Sequence, residues 1–123
     1  MEIVVLDTNI LIEILKNNKN TIKKVQSFKS KLAISFISGM ELIYGAFNKT
    51  EIKQIENFLS NFEIVWVNNQ ISKRAYSLIK EYAKSHNLDI PDSLIAATAL
   101  ENKAKLFTYN LKDFKFIKGL EII

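Results

Sequence analysis

Four acidic residues lie next to apolar stretches of the chain, where an unpaired negative charge is costly to bury. Asp7 follows the apolar run EIVVL, and Glu41 lies in the first turn of a predicted helix. Asp92 begins another apolar helix, and Asp113 follows a predicted strand in the stretch YNLKDF. Carboxylate oxygens suit a hard divalent cation such as Mg²⁺ or Mn²⁺. The four acids are therefore candidate ligands of one catalytic metal site.

Each acid also has a purely structural explanation. Asp7 could cap the helix that follows it, and Ser38 with Glu41 matches the S-x-x-E capping box. Asp92 suits the positive end of a helix dipole, and Asp113 could be an ordinary turn residue. These explanations account for less when the acids are taken together. Like charges that converge repel unless they are protonated or bridged by a cation, so the sequence favours a metal site.

Short apolar runs alternate with helical patterns from end to end, which is typical of an α/β domain. The predicted strands cover residues 2–6, 31–35, 63–67, 105–109 and 120–123, and Trp66 is expected in the core. The predicted helices cover residues 8–16, 17–28, 38–47, 50–62, 70–86 and 91–102. This pattern predicts a single domain over residues 1–123, a three-layer α/β/α sandwich with a mainly parallel sheet of about five strands. Ligands of such sheets gather outside the carboxyl ends of the strands, which these acids follow.

Composition limits the chemistry further. The 123 residues include no cysteine and one histidine, His86, which excludes a disulfide framework, a thiolate metal site and a histidine-based triad within one chain. A net charge of +4 is compatible with a polyanionic partner. No apolar run approaches the length of a membrane span, and no basic segment precedes the first strand, so we expect a cytoplasmic protein.

Four stretches, in this order, resemble the PIN-domain ribonucleases and, more narrowly, the VapC-type toxins of toxin–antitoxin pairs. They are LDTNILIEIL, AISFISGMELIYGA, DIPDSLIAATAL and LFTYNLKDF. The resemblance runs almost from end to end and implies a PIN-like nuclease domain. It also implies an endoribonuclease that depends on Mg²⁺, or on Mn²⁺, and cleaves loops of transfer or ribosomal RNA with a metal-activated water.

The resemblance assigns roles position by position. Asp7, Glu41 and Asp92 match the three core metal-binding and catalytic acids of the family. At the fourth position Asn110 stands where many members carry Asp, and Asp113 is the nearest carboxylate. We therefore expect Asp113 to be the fourth acid and Asn110 to support the site. Positions that commonly orient the acids in this family are matched by Thr8, Asn9 and Thr108.

Lysines near the expected site would contact the RNA backbone. Lys112 and Lys115 follow the last acidic stretch, and Lys16 and Lys19 follow the first helix. Tyr109 could stack on an unpaired base, although packing on the sheet is the simpler role for a residue at a strand end.

The resemblance also implies protein partners. A small cognate antitoxin would hold the nuclease inactive by directing a cation, most simply an arginine, at the acid cluster. The family further implies a homodimer. Candidate interface residues on the helices after the second and third strands are Ile43, Tyr44, Phe47, Ile71, Tyr76 and Ile79.

Two other functions are compatible with the sequence. The first is a catalytically inactive PIN-like module that binds RNA or protein, which the neutral Asn110 keeps open. The second is a phosphatase or a phosphoacceptor domain that uses Asp7 and Mg²⁺. The dipeptide TN after Asp7 does not match the D-x-D pattern of such phosphohydrolases.

Overall fold

A computed structural model describes residues 2–123 and contains one parallel sheet of four strands. The strands are β1 (Ile3–Leu6), β2 (Lys31–Ser35), β3 (Glu63–Val65) and β4 (Lys105–Phe107), in the spatial order β3-β2-β1-β4. The helices are α1 (Thr8–Leu15), α2 (Lys19–Gln26), α3 (Phe36–Tyr44), α4 (Lys49–Leu59), α5 (Asn69–His86) and α6 (Ile90–Glu101). A 3₁₀ turn (Leu111–Asp113) follows β4.

Helices cover both faces of the sheet, so the predicted three-layer α/β/α sandwich is confirmed. On one face, Val4 and Leu6 of β1 belong to a core cluster with buried residues of α1 to α4. On the other face, Val5 packs in a second cluster with α5, α6 and the C-terminal segment. Because side chains alternate along a strand, a continuously apolar β1 supplies both clusters.

The sheet has four strands rather than the predicted five. Residues 120–123 run beside β4 but form only one isolated bridge, between Leu106 and Ile122. The Leu106 N–H donates to the Glu121 carbonyl at 2.8 Å, and the Ile123 N–H donates to the Leu106 carbonyl at 2.9 Å. The segment therefore covers the outer edge of β4 without extending the ladder.

Two local predictions are wrong, namely the buried position of Trp66 and the starting residue of the helix after β2. β3 ends at Val65, so Trp66 leaves the sheet and is 68% exposed instead of lying in the core. The helix after β2 begins at Phe36, and its N-cap is Ser35, whose side chain accepts the Ile37 N–H at 3.2 Å. The strand-end serine therefore starts the helix about one turn earlier than expected.

The order of the strands places a topological switch point between β1 and β4, where a ligand crevice is expected. Successive connections lead from β1 to β2 and on to β3, and the chain then crosses back to β4 on the other side of β1. Neighbouring parallel strands whose connections diverge in this way leave an opening at their carboxyl ends. Asp7 and Thr108 stand at those two ends. Within residues 2–123 no helix is both long and apolar enough to cross a membrane.

Candidate active site

Asp7 is the most deeply placed acid of the crevice, with 4% of its surface exposed. Its Oδ1 accepts the Thr8 N–H at 2.8 Å, which caps α1, and its Oδ2 accepts the Thr108 hydroxyl at 2.7 Å. The Asp7 N–H donates to the Phe107 carbonyl at 3.0 Å, so the ends of β1 and β4 are fastened together. The capping explanation of Asp7 is thus correct, and each carboxylate oxygen still keeps lone pairs for another partner.

The surroundings of Asp7 oppose its negative charge. Burial raises the pKa of Asp7 above its ordinary value, and the hydrogen bonds from Thr108 and Thr8 lower it in part. The charges of Glu41 and Asp113 raise it again. Two acids that are distant in sequence therefore lie close enough to act electrostatically on Asp7.

Asp92 lies in the first turn of α6, as predicted, but it is not the cap of that helix. Asp89 is the N-cap, and its Oδ1 accepts the Asp92 N–H at 2.9 Å. Burial, followed by the charges of Asp89, Asp7, Asp113 and Glu41, raises the pKa of Asp92 to about 7. Among residues 2–123, none of the four predicted site acids forms a salt bridge with a lysine, arginine or histidine.

Glu41 reaches the crevice from the second turn of α3, not from the first. The capping-box explanation for Ser38 and Glu41 is wrong, because both residues lie inside the helix. Glu41 Oε1 lies 2.7 Å from Thr8 Oγ1, which in turn lies 2.8 Å from Ser38 Oγ. One hydroxyl carries one proton, so Thr8 can donate to the carboxylate while it accepts from Ser38.

The two candidates for the fourth position, Asp113 and Asn110, differ in what they affect. Asp113 lies in the 3₁₀ turn, and its charge raises the pKa of both Asp7 and Asp92. Asn110 is exposed, and its N–H donates to Thr108 Oγ1 at 3.0 Å. The backbone of Asn110 therefore supports the threonine that holds Asp7. Coordination by Asp113 stays a prediction.

Asn9 contacts the strand end rather than an acid. Its Oδ1 accepts the Tyr109 N–H at 3.4 Å, and its Nδ2 is buried with no hydrogen-bond partner in the part of the chain that the structure describes. Tyr109 is half-exposed, with its ring edge against Phe107 and its hydroxyl 2.6 Å from Thr21 Oγ1. Lys112 and Lys115 are exposed near the 3₁₀ turn.

Two residues of this region were not identified from the sequence. Ser38 is fully buried and contacts Thr8, and the available signal was a hydroxyl one helical turn before Glu41 on an apolar helix. Asp89 caps α6 and acts on Asp92. Its signal was an acid three residues before Asp92, ahead of a proline at the helix start.

The donor chemistry of the site fits a hard divalent cation. The four acids offer only oxygen ligands, and within residues 2–123 no salt bridge to a lysine, arginine or histidine relieves their mutual repulsion. As they stand, no three Asp, Glu, His or Cys side chains within residues 2–123 are grouped closely enough to hold a metal ion. Since like charges spread apart, we expect a bound cation to draw these carboxylates together.

Several aromatic residues of α3, its C-terminal loop and α5 are exposed. Tyr44 and Phe47, at and beyond the end of α3, are 93% and 92% exposed, and Tyr76 of α5 is also exposed. Ile71, which was a candidate for the same dimer interface, is 1% exposed and packs in the core between α5 and the sheet. Ile71 therefore cannot contribute to an interface. Aromatic side chains are enriched where proteins bind one another.

Comparison with known proteins agrees with this fold. The family model of the PIN domain matches residues 4–119. The chain therefore belongs to the PIN domain family.

Within that family its relatives are VapC proteins. Ribonuclease VapC1 of Haemophilus influenzae is 35% identical over 130 residues, which cover 97% of this chain and 95% of the relative. The tRNA(fMet)-specific endonuclease VapC of Salmonella typhimurium is 31% identical, with 95% and 93% covered. A toxin–antitoxin complex from Klebsiella pneumoniae contains a chain with a TM-score of 0.83 and 32% identity, covering 98% of this chain and 95% of that one.

Proposed function

We propose that this chain is a metal-dependent endoribonuclease that acts as the toxin of a toxin–antitoxin pair, with Mg²⁺ or Mn²⁺ as its cofactor. The observation that carries the proposal is a buried Asp7 on which the charges of neighbouring acids act, with no salt bridge to Asp7 in the described part of the chain. The similarity to a ribonuclease and to a chain of a toxin–antitoxin complex supports the same reading.

The chain's own residues would prepare the site in distinct ways. Asp7, Glu41, Asp92 and Asp113 would hold the cation. Bound there, a divalent cation supplies the Lewis acidity that makes water a nucleophile at neutral pH and stabilises the departing oxygen. Thr108 and Thr8 fix the orientation of the Asp7 carboxylate. A ligand held in this way need not reorganise when the substrate binds.

Proton transfer must use carboxylates, because the only histidine, His86, ends α5 and contacts Tyr82 and Phe116 instead. Glu41 is suited to this role. It is exposed, and one of its oxygens is held by Thr8. The other oxygen can accept a proton from the attacking water or complete the ligand set.

The proposed substrate is structured RNA with an unpaired loop, such as a loop of transfer or ribosomal RNA. Transfer RNA is favoured in part because one relative is a tRNA(fMet)-specific endonuclease. Tyr109 presents a half-exposed ring whose edge and hydroxyl are both held in place, so it can stack on an unpaired base. Lys112 and Lys115 would contact the phosphates next to it.

We also propose the partners and the compartment. An antitoxin would cover the crevice and direct a cation at the acids, and a second copy of the chain would cover Tyr44, Phe47 and Tyr76. The exposure of these aromatic residues supports a protein contact there. The cytoplasm is the expected location, because the proposed RNA substrates are there.

A nuclease assay with a transfer RNA tests the activity. Asp7→Asn and Asp92→Asn remove a charge with almost no change in shape, and we expect each to reduce cleavage on the order of 100-fold or more. Glu2→Gln is the matched control, because it removes one carboxylate charge at the opposite end of the sheet, where Glu2 pairs with Lys105. Cleavage should require Mg²⁺ and stop in EDTA. Full activity of Asp7→Asn would reject the site.

Growth of a host cell tests the toxin role. Expression of the chain alone should arrest growth, and co-expression of a cognate antitoxin should restore it, whereas the Asp7→Asn variant should be harmless throughout. RNA binding without cleavage, together with harmless expression of the native chain, would instead indicate the inactive binding module.

A further inference from the structure

Residues 14–40 carry a one-sided charge. All 13 acidic residues of the chain lie outside this segment. Its lysines are Lys16, Lys19, Lys23, Lys24, Lys29 and Lys31. A run of this length with only positive charges creates a local positive potential that the modest net charge of the whole chain does not reveal.

The lysines of this segment differ in their partners. Lys31 pairs with Glu63, and Lys16 lies 3.8 Å from Glu13. The three lysines of α2 are exposed and form no salt bridge within residues 2–123. They are Lys19, Lys23 and Lys24.

Hydrogen bonds fasten α2 to the crevice. Thr21, in the first turn of α2, is buried, and its Oγ1 lies 2.6 Å from the Tyr109 hydroxyl. The Tyr109 N–H donates to Asn9 Oδ1 at 3.4 Å, and the preceding residue, Thr108, donates to Asp7. The basic helix is therefore held beside the chain segment that positions the central acid.

We propose that α2 binds the RNA backbone next to the active site, with Lys19, Lys23 and Lys24 contacting phosphates. This inference rests on the proposed nuclease function. A polyanion that approaches a cluster of acids is repelled, so a nearby surface of unpaired cations must offset that repulsion. Lys23 and Lys24 line a shallow depression with Asn20 and Ser27, and the amide of Asn20 can also donate to a phosphate oxygen.

A pair of charge-neutralising variants tests the proposal. Lys23→Gln/Lys24→Gln removes two charges from α2, and Lys73→Gln/Lys80→Gln removes two from α5, so the net charge of the variants is equal. Both pairs are exposed and glutamine keeps the helix propensity high. The control also matches in detail, because Lys24 lies 5.7 Å from one aromatic ring centroid and Lys80 lies 5.8 Å from another.

Binding is measured with a labelled single-stranded uridine oligonucleotide in EDTA, so that no cleavage occurs, over a series of KCl concentrations. Phosphate contacts carry no sequence information, so the probe need not be the natural substrate. We expect the α2 variant to bind roughly tenfold more weakly and its salt slope to fall by about 1.4, since each lost contact to a single strand removes about 0.7. The α5 variant should change affinity by less than about twofold. Melting curves verify that both variants are folded. If the α2 double variant is not folded, binding is measured with the single variants Lys23→Gln and Lys24→Gln instead.

Each other outcome rejects the proposal in a distinguishable way. Equal losses in the two double variants would mean that only net charge matters, and no loss in the α2 variant would remove α2 from the RNA surface. Loss of antitoxin binding with RNA binding intact would make α2 a protein contact instead. Suppose that the native chain cleaves RNA in Mg²⁺ and that the α2 variant has the same KM. That result would reject RNA binding by α2 and leave the nuclease function standing. An inactive native enzyme rejects the nuclease function itself.

Discussion

The acids at the two ends of the sheet differ in whether they form salt bridges. At the amino ends of the strands, Glu2 pairs with Lys105 at 2.9 Å and Glu63 pairs with Lys31, all at positions with substantial exposure. At the carboxyl ends, Asp7 is buried and forms no salt bridge within the described residues. Within the described residues, the acids at the amino ends of the strands are thus paired with lysines, whereas Asp7 at the carboxyl ends is not. Charges left without a protein partner in a crevice are the ones available to an external cation.

The largest expected effect comes from adding a positively charged side chain near the carboxyl ends of the strands, where the site acids form no salt bridge within the described residues. Asn110→Lys would place an ammonium group next to the loop that holds Asp7, where it competes with the metal ion. We expect a loss of cleavage on the order of 100-fold, because several kcal/mol of metal-ion stabilisation are lost.

Two controls sharpen that result. Asn110→Gln keeps the site neutral and should retain most activity, and Lys105→Gln at the opposite end of the sheet should leave the rate of cleavage unchanged. A fully active Asn110→Lys enzyme would contradict the view that the uncompensated charge at this end is functional.

Added Mg²⁺ should stabilise the protein by binding the acids at the carboxyl ends of the strands. At a Mg²⁺ concentration ten times its Kd, linkage predicts about 1.4 kcal/mol of added stability, or roughly 5 °C in Tm for a domain of this size. Calorimetry or thermal-shift measurements with and without EDTA test this. Asp7→Asn should abolish the shift, whereas Glu2→Gln should preserve it. An identical shift in Asp7→Asn would indicate that the ion binds elsewhere.

Asp92, which lies near the carboxyl ends of the strands, should make the stability of the protein depend on pH. The pKa of Asp92 is raised to about 7, so the folded state binds its proton more tightly than the unfolded state does. That contribution is complete below the ordinary carboxyl pKa and is lost as the pH rises through about 7. In EDTA, Tm should therefore fall by a few degrees between pH 5 and pH 8. Asp92→Asn should flatten this slope, and an unchanged slope in that variant would contradict the assignment.

The fourth position gives the smallest expected effect. Because the charge of Asp113 acts on both Asp7 and Asp92, Asp113→Asn should weaken Mn²⁺ binding several-fold. Asn110→Asp should strengthen it by a similar factor. If neither variant alters Mn²⁺ affinity in a calorimetric titration, then neither residue contributes to the metal site.

Local signals in the sequence were sufficient for the layers of the fold and for the placement of two acids. The continuous apolar run before Asp7 predicts a strand covered on both faces, and β1 supplies both core clusters. The proline before Asp92 predicts a helix start, and α6 begins at Ile90. In both cases the information lies within a few residues of the acid itself.

Features that depend on distant contacts could not be predicted in the same way. Two serines of the segment SFIS could each start the helix before Glu41, and only the end of β2 at Ser35 decides between them. Thr8 and Ser38 meet across 30 residues of sequence, which no local pattern indicates. Residues 120–123 have the composition of a strand, yet they meet only the short edge of β4.

Direct metal binding tests the central claim, that the acids at the carboxyl end of the sheet form a divalent-cation site. Mn²⁺ can be titrated into the native chain and into Asp7→Asn, Asp92→Asn and Glu2→Gln, with free Mn²⁺ followed by its electron paramagnetic resonance signal. We expect the native chain and Glu2→Gln to bind alike, and Asp7→Asn and Asp92→Asn to bind at least about tenfold more weakly, since each loses a charged ligand. Equal affinity in all four proteins would contradict the account, whatever the nuclease assays show.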